Sequence, residues 1–300
     1  MSLRGRPEEP WSLQDALDAL VSAVRRAARP STLWVAGFFY PSVILIWGFD
    51  LLQAAEYGLT DQSIADNDKL TELALLGLVL LVLRLPFFRL VAGLAVVTAE
   101  ERWNAHVAAT GRRPRLRDAW RAGEGLLLPA AGLFLQTFVM IALAFLVCIG
   151  PAVMGLRLFA LDDGVLGYAI VSPIIVFLAL YGLVLSLLYQ LALHSLAQNR
   201  RGVGSAMLHA WRLIRRDPWA TVRSLLVDGV LFVLVTAVSR FVHLTMDLVC
   251  LANVVAVVVL TSLAGITGVA RASYWARTYR ALGGVALEDR VPGTAGGRSA

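Results

Sequence analysis

Uninterrupted apolar runs constrain this chain more than any other feature of its sequence. Six stretches are long enough to cross a bilayer, which takes about 20 residues per helix. Four of them carry no charge: residues 32–49, 126–156, 164–199 and 248–270. The runs do not alternate with a period of two, which favours helices over barrel strands. A mean hydropathy of +0.70 agrees. We predict an all-α fold, a polytopic membrane helical bundle.

The predicted bundle has six transmembrane helices, arranged as three hairpins. Their expected bounds are about 32–54, 73–97, 126–149, 165–193, 219–242 and 248–270. Residues 1–31 are charged and lack an apolar core, which predicts a cytoplasmic N-terminal segment instead of a signal peptide. Residues 32–281 form the transmembrane domain, and 282–300 are expected to be a disordered cytoplasmic tail because of their linker composition.

The distribution of basic residues predicts the orientation. Residues 1–31, 98–125, 194–219 and 270–300 hold five, six, five and five arginines, whereas the intervening connections hold only Lys69, Arg157 and Arg240. Basic connections stay in the cytoplasm, so both termini are predicted to be cytoplasmic. The net charge of +6 then reflects topology and contact with anionic lipids. We therefore expect membrane lipids as partners and no nucleic acid, and a protein partner is left open.

Two cytoplasmic segments have the pattern of amphipathic helices. Residues 12–29 begin with Ser12 and Asp15 in capping-box spacing and continue with an apolar stripe of Leu13, Leu17, Leu20 and Val24. The segment MLHAWRLIRR places Met207, Ala210, Trp211 and Ile214 opposite its arginines. Such helices lie in the membrane interface, and Arg212, Arg215 and Arg216 are the candidate contacts to lipid phosphates. The alternative is an ordinary helix packed on the bundle.

The inner segments also repeat. Trp103, Gly111 and Trp120 lie 91 residues before His194, Gly202 and Trp211, and Trp275 and Gly283 repeat the first step again. We interpret this as three units, each an interfacial helix followed by a transmembrane hairpin.

The stretch AWRLIRRDPW, within six spans and arginine-rich inner connections, resembles a loose group of uncharacterised bacterial inner-membrane proteins. That group is similar to the membrane domain of some glycerophosphodiester phosphodiesterases. The resemblance implies a bacterial cytoplasmic (inner) membrane location. It implies no activity, because the soluble phosphodiesterase barrel of those enzymes is absent from this sequence.

Ionisable residues inside predicted spans are the main candidates for a functional site. Arg84, Arg89 and Asp228 are costly in lipid and should face protein or water. Asp228 and Arg89 have similar predicted depths, about 13 Å from the inner face, so we expect them to pair. Arg84 points elsewhere on the helix, with Gln136 or Gln190 as possible partners. The five residues form a candidate intramembrane polar network, structural or ligand-binding.

Enzyme signatures are weak. Ser239, Arg240, His243 and Asp247 resemble the last motif of type-2 phosphatidate phosphatases, but the Arg-to-His spacing is too short and the other motifs are missing. No HExxH or phosphate-binding glycine loop occurs, so we expect no enzyme, cofactor or metal.

The leading hypothesis is a non-catalytic lipid-organising or scaffolding membrane protein. The alternative is a transporter or lipid-handling protein that uses the Arg/Asp site, and a phospholipid-metabolism enzyme comes last.

Overall fold

The structure is a computed structural model that describes residues 11–29, 31–40, 85–158, 165–246 and 252–284. Within these ranges the chain forms helices and no strand, which confirms the all-α prediction for the part described. Four helices are long and apolar enough to cross a membrane, and their candidate spans are Leu127–Cys148, Ser172–Asn199, Pro218–Val238 and Val257–Ala281. The predicted first span falls largely outside the described residues, and so do residues 73–84 of the predicted second span.

The helices are numbered in chain order. Their bounds are α1 Leu13–Ala27, α2 33–40, α3 Leu85–Val97, α4 Glu100–Thr110, α5 Leu116–Ala122, α6 Leu127–Leu158, α7 Val165–Asn199, α8 Val203–Arg216, α9 Pro218–Met246 and α10 Ala252–Ala281. Helices α6, α7, α9 and α10 form the frame, with α6 against α7, α9 against α10, and α7 against α10.

Burial divides each long helix into two parts. Every described residue of α7 from Ser172 to Val184 is at least partly exposed, whereas almost every residue from Leu185 to Asn199 is buried. Helix α10 changes in the same way at Gly265. Helices α6 and α9 are packed near their starts and open beyond Thr137 and Asp228. We call the buried portions, which meet in one core, the packed end and the others the open end.

The open ends have the dimensions and surface of membrane spans. In α6 and α7 they extend over roughly 20 residues, or about 30 Å, which is the thickness of the hydrocarbon core of a bilayer. Their outward faces carry large apolar side chains, such as Leu146 at 71% exposure and Val233 at 64%. The packed ends therefore extend beyond the length needed to cross.

The amphipathic helix predicted at 12–29 is present as α1. Ser12 caps it in the predicted capping box, in which the Asp15 amide donates to the Ser12 hydroxyl and the Asp15 carboxylate accepts from the Ser12 amide. The face that packs on α9 and α10 consists mainly of alanines, Ala16, Ala19, Ala23 and Ala27, with Leu20. Leu13 and Leu17 of the predicted apolar stripe stay exposed. Small side chains bring α1 close to the bundle, and Leu13 and Leu17 lie on its outward face.

The second predicted amphipathic helix is present as α8, with one face buried against the bundle and the other exposed. It packs on α7 through Ala206, Met207, Ala210 and Leu213. Trp211, predicted on that face, instead lies outside with 42% exposure.

The repeated positions occupy similar places in the fold. All three aromatic residues are buried, Trp103 in the first turn of α4, and His194 and Trp275 within the last two turns of α7 and α10. Gly111 and Gly283 follow two of these helices in the left-handed region, with φ of 64° and 91°. After α7 the left-handed residue is Arg200, with φ of 48°, instead of Gly202.

Candidate functional site

A buried ion pair joins α9 to α10. Asp228 is 4% exposed, and its Oδ1 and Oδ2 accept hydrogen bonds from Nε and Nη2 of Arg271 at 2.8 and 2.6 Å. Such a bidentate arrangement is the strongest geometry available to an arginine and a carboxylate. The indole N–H of Trp275 also donates to Oδ2 at 3.2 Å. The carboxylate therefore has hydrogen-bond donors on both oxygens, as a buried charge requires.

The predicted pair of Arg89 with Asp228 is wrong. Asp228 pairs instead with Arg271, which lies at the same depth. Asp228 is about 15 Å from the start of α9, and Arg271 is about as far from the end of α10. Because α10 continues past residue 270 to Ala281, Arg271 lies within a candidate span and not in a connection after it.

Arg89 has its own partners on α5 and the turn after it. Its Nε donates to the Trp120 carbonyl at 2.9 Å, and its guanidinium carbon lies 4.4 Å from the centre of the Trp120 ring. Glu124 lies 4.0 Å from Nη2. Arg89 therefore connects α3 to the segment before α6, near the surface of the core.

Gln190 belongs to a buried hydrogen-bond chain that also contains Tyr40, His194 and Gln198. The Tyr40 hydroxyl donates to Gln190 Oε1 at 2.7 Å and lies 3.2 Å from His194 Nε2. The Gln198 amide nitrogen lies 3.3 Å from His194 Nδ1. One arrangement satisfies all three contacts: a neutral imidazole that accepts at Nδ1 from Gln198 and donates at Nε2 to Tyr40. The chain connects α2 with α7 and lies beside the ion pair, because Tyr40 also interacts electrostatically with Arg271.

Gln136 and the three arginines of α8, the other predicted site residues that the structure describes, do not join this chain. Arg84 lies outside the described residues. Gln136 is exposed on α6. Arg212, Arg215 and Arg216 are exposed at the end of α8, on the side away from α7.

The final turn of α7 carries buried polar atoms that the protein leaves unpaired. Ser195 Oγ, Gln198 Oε1 and Asn199 Oδ1 have no hydrogen-bond partner within the described part of the chain. The spacing of these residues places them on one face of α7. That face meets α10, because the Asn199 side-chain amide donates to the Tyr279 hydroxyl at 2.6 Å. Buried polar groups usually have hydrogen-bond partners, so the missing partners on this face are unusual for a protein core.

Metal chemistry has no support in the described ranges, where no group of three His, Cys, Asp or Glu side chains could hold an ion. The phosphatase-like motif lies at the end of α9 and continues to Asp247, outside the described residues.

Comparison with known proteins gives no match, whether with protein-family models, curated proteins or solved structures. Function is therefore argued from the residues and geometry of this chain.

Arg271, Tyr40 and His194 were not among the predicted site residues. Arg271 would have been a candidate if the last helix had been extended by three turns to Ala281, because Arg271 then lies at the depth of Asp228. Tyr40 and His194 had no comparable signal, because their pairing depends on how α2 crosses the bundle.

Proposed function

We propose that this chain is a six-span protein of the bacterial cytoplasmic membrane that organises anionic lipids and has no catalytic role. In this proposal the packed end lies on the cytoplasmic side, because its connections carry most of the arginines. The three hairpins would each begin with an inner helix, and the resemblance to the membrane domain of glycerophosphodiester phosphodiesterases belongs to the same proposal.

The exposed face of α8 carries the proposal. Leu208, Trp211, Arg212 and Arg215 share this face by their helical spacing, and Leu208 and Trp211 are 50% and 42% exposed. An apolar row with a tryptophan beside arginines is typical of a helix in the headgroup region. A further tryptophan, Trp219, is 70% exposed at the start of α9. Helix α1 has a similar row of Leu13, Leu17 and Val21 that leads to Arg25.

The test compares lipids that remain bound after gentle extraction. Wild-type protein should be enriched in phosphatidylglycerol or cardiolipin over a zwitterionic lipid, measured by native mass spectrometry from mixed vesicles. The variant R212Q/R215Q should lose part of the enrichment, because each arginine near an anionic surface contributes about 1 kcal/mol. The matched control R102Q changes an arginine of the separate helix α4. Equal binding of anionic and zwitterionic lipids by the wild type would contradict the proposal.

The unpaired oxygens on α7 favour a second candidate, a transporter or lipid-handling protein. Water or a small hydrogen-bond donor could satisfy Ser195, Gln198 and Asn199. In this case N199L should abolish uptake of a transported solute into proteoliposomes while lipid enrichment is preserved. Retained uptake would remove this candidate.

A further inference from the structure

A groove lies between α2 and α10, where the packed end meets the open end. Its volume is about 380 Å³, within the range of small-molecule sites. The lining residues are Ser31, Trp34, Val35, Phe38, Phe39, Thr261 and Ser262.

Helices α2 and α10 cross beside the groove, and glycines lie at the point where they touch. A Cβ on Gly37 would lie 2.1 Å from the Gly265 carbonyl oxygen, and a Cβ on Gly268 would lie 1.8 Å from the carbonyl oxygen of Gly37. The backbones of α2 and α10 therefore touch there. The larger side chains of Trp34 and Phe38 line the groove beside this contact.

The walls are fixed and mainly apolar. The Trp34 indole N–H donates to the Ala27 carbonyl at 2.8 Å, so its polar edge is already satisfied. Phe39 stacks on Phe87 of α3 with ring centres 3.8 Å apart. Val35 is 49% exposed beside them. An occupant of this groove gains apolar contact and few hydrogen bonds.

Four arginines lie within two residues, in the sequence, of Ser31 or Pro114 at one end of the groove. The Ser31 hydroxyl donates to the Pro114 carbonyl at 3.4 Å, and the Leu116 amide donates to the Thr32 hydroxyl at 3.3 Å. The segment before α5 is thereby held against the start of α2. We call Arg29, Arg112, Arg113 and Arg115 the basic rim. None of these four side chains forms an ion pair with a described residue.

We infer that the groove and the basic rim together bind one anionic phospholipid, with its phosphate at the arginines and one acyl chain between α2 and α10. The rim favours an anion, and the aromatic walls favour an alkyl chain over a soluble phosphate compound. The inference rests on the proposed function, since it requires the packed end to lie in the headgroup region of a membrane. It adds a single defined site to the general contact made by α8.

The experiment titrates purified full-length protein in detergent with phosphatidylglycerol and with phosphatidylcholine of the same acyl chains, using native mass spectrometry to count bound lipids. One phosphatidylglycerol should bind more tightly than any phosphatidylcholine. The variant R112Q/R113Q should weaken it about fivefold for each arginine removed. V35W, which fills the groove and leaves the rim intact, should prevent this binding.

The variant R212Q/R215Q is the matched control, because it removes two arginines from α8 and should leave the tight lipid in place. An unchanged affinity in both R112Q/R113Q and V35W would overturn the site, even if anionic lipids were enriched through α8. Failure of the wild type to prefer any anionic lipid would instead overturn the proposed function itself. Each variant is first checked for the unfolding midpoint of the wild type, and S262F replaces V35W if the latter unfolds.

Discussion

At the scale of single residues, Asp228 and Arg271 are oppositely charged side chains that the fold buries in direct contact. Removing one leaves the other buried without a counter-ion, which typically costs about 3–5 kcal/mol. We therefore expect D228A and R271A each to lower the unfolding midpoint in detergent strongly. The double variant D228A/R271A should cost little more than either single change, since the coupling is lost only once. Additive losses would contradict the pair.

Arg89 supplies the matched control for that cycle. It contacts Trp120 and Glu124 and has no partner in common with Asp228. The losses in R89A and D228A should add in the double variant R89A/D228A.

The residues of the site were predictable only in part. The cost of burying charge identified Asp228 correctly as a residue that needs a partner. The identity of that partner depended on where α10 ends, and hydropathy places that end too early because residues 271–281 are more polar. These residues are nevertheless buried by α1, α4 and α9, which a pattern within one segment does not reveal.

At the scale of the helices, the contact between α2 and α10 depends on glycine. In G268A the new methyl group would meet the Gly37 backbone, so the two helices must separate. We expect a loss of stability of about 1–3 kcal/mol, typical of overpacking. G229A is the control, because a Cβ there meets nothing within 4 Å. Thermal unfolding in detergent measures both, and equal midpoints for G268A and wild type would refute the close approach.

The start of α1 should respond to pH. Hydrogen bonds from the Ser12 hydroxyl and the Ser12 amide lower the pKa of the Asp15 carboxyl from its ordinary value of 3.8. A lowered pKa in the folded state stabilises the helix above pH 3.8, and this contribution disappears as the pH falls through the lowered value. Amide hydrogen exchange in residues 13–17 should therefore show less protection below that pH. In S12A the same pH dependence should be smaller.

The helices themselves were largely predictable, and their packing was not. Apolar length predicted α6, α7, α9 and α10, and capping-box spacing predicted the start of α1. The pattern predicted an apolar stripe of leucines on α1, whereas the face that packs on the bundle consists mainly of alanines. Periodicity shows that a helix has two faces, but close helix packing selects the small side chains for contact.

At the scale of the whole molecule, the protein consists of apolar open ends and a packed end surrounded by arginines. The open ends expose large apolar side chains on α6, α7, α9 and α10, which a bilayer would cover. The packed end holds the ion pair, the hydrogen-bond chain and the inner helices α1 and α8. In the proposed membrane orientation, this division would keep Asp228 and Arg271 away from the centre of the bilayer.

The most direct test of this account is the side of the membrane on which the packed end lies. Single cysteines at Thr110, Ser205 and residue 285, in a chain without Cys148 and Cys250, are labelled with a membrane-impermeant maleimide in intact spheroplasts and after lysis. We expect all three to react only after lysis, whereas a cysteine at residue 162, between α6 and α7, reacts in intact cells. Labelling of position 205 and position 162 from the same side would contradict the account.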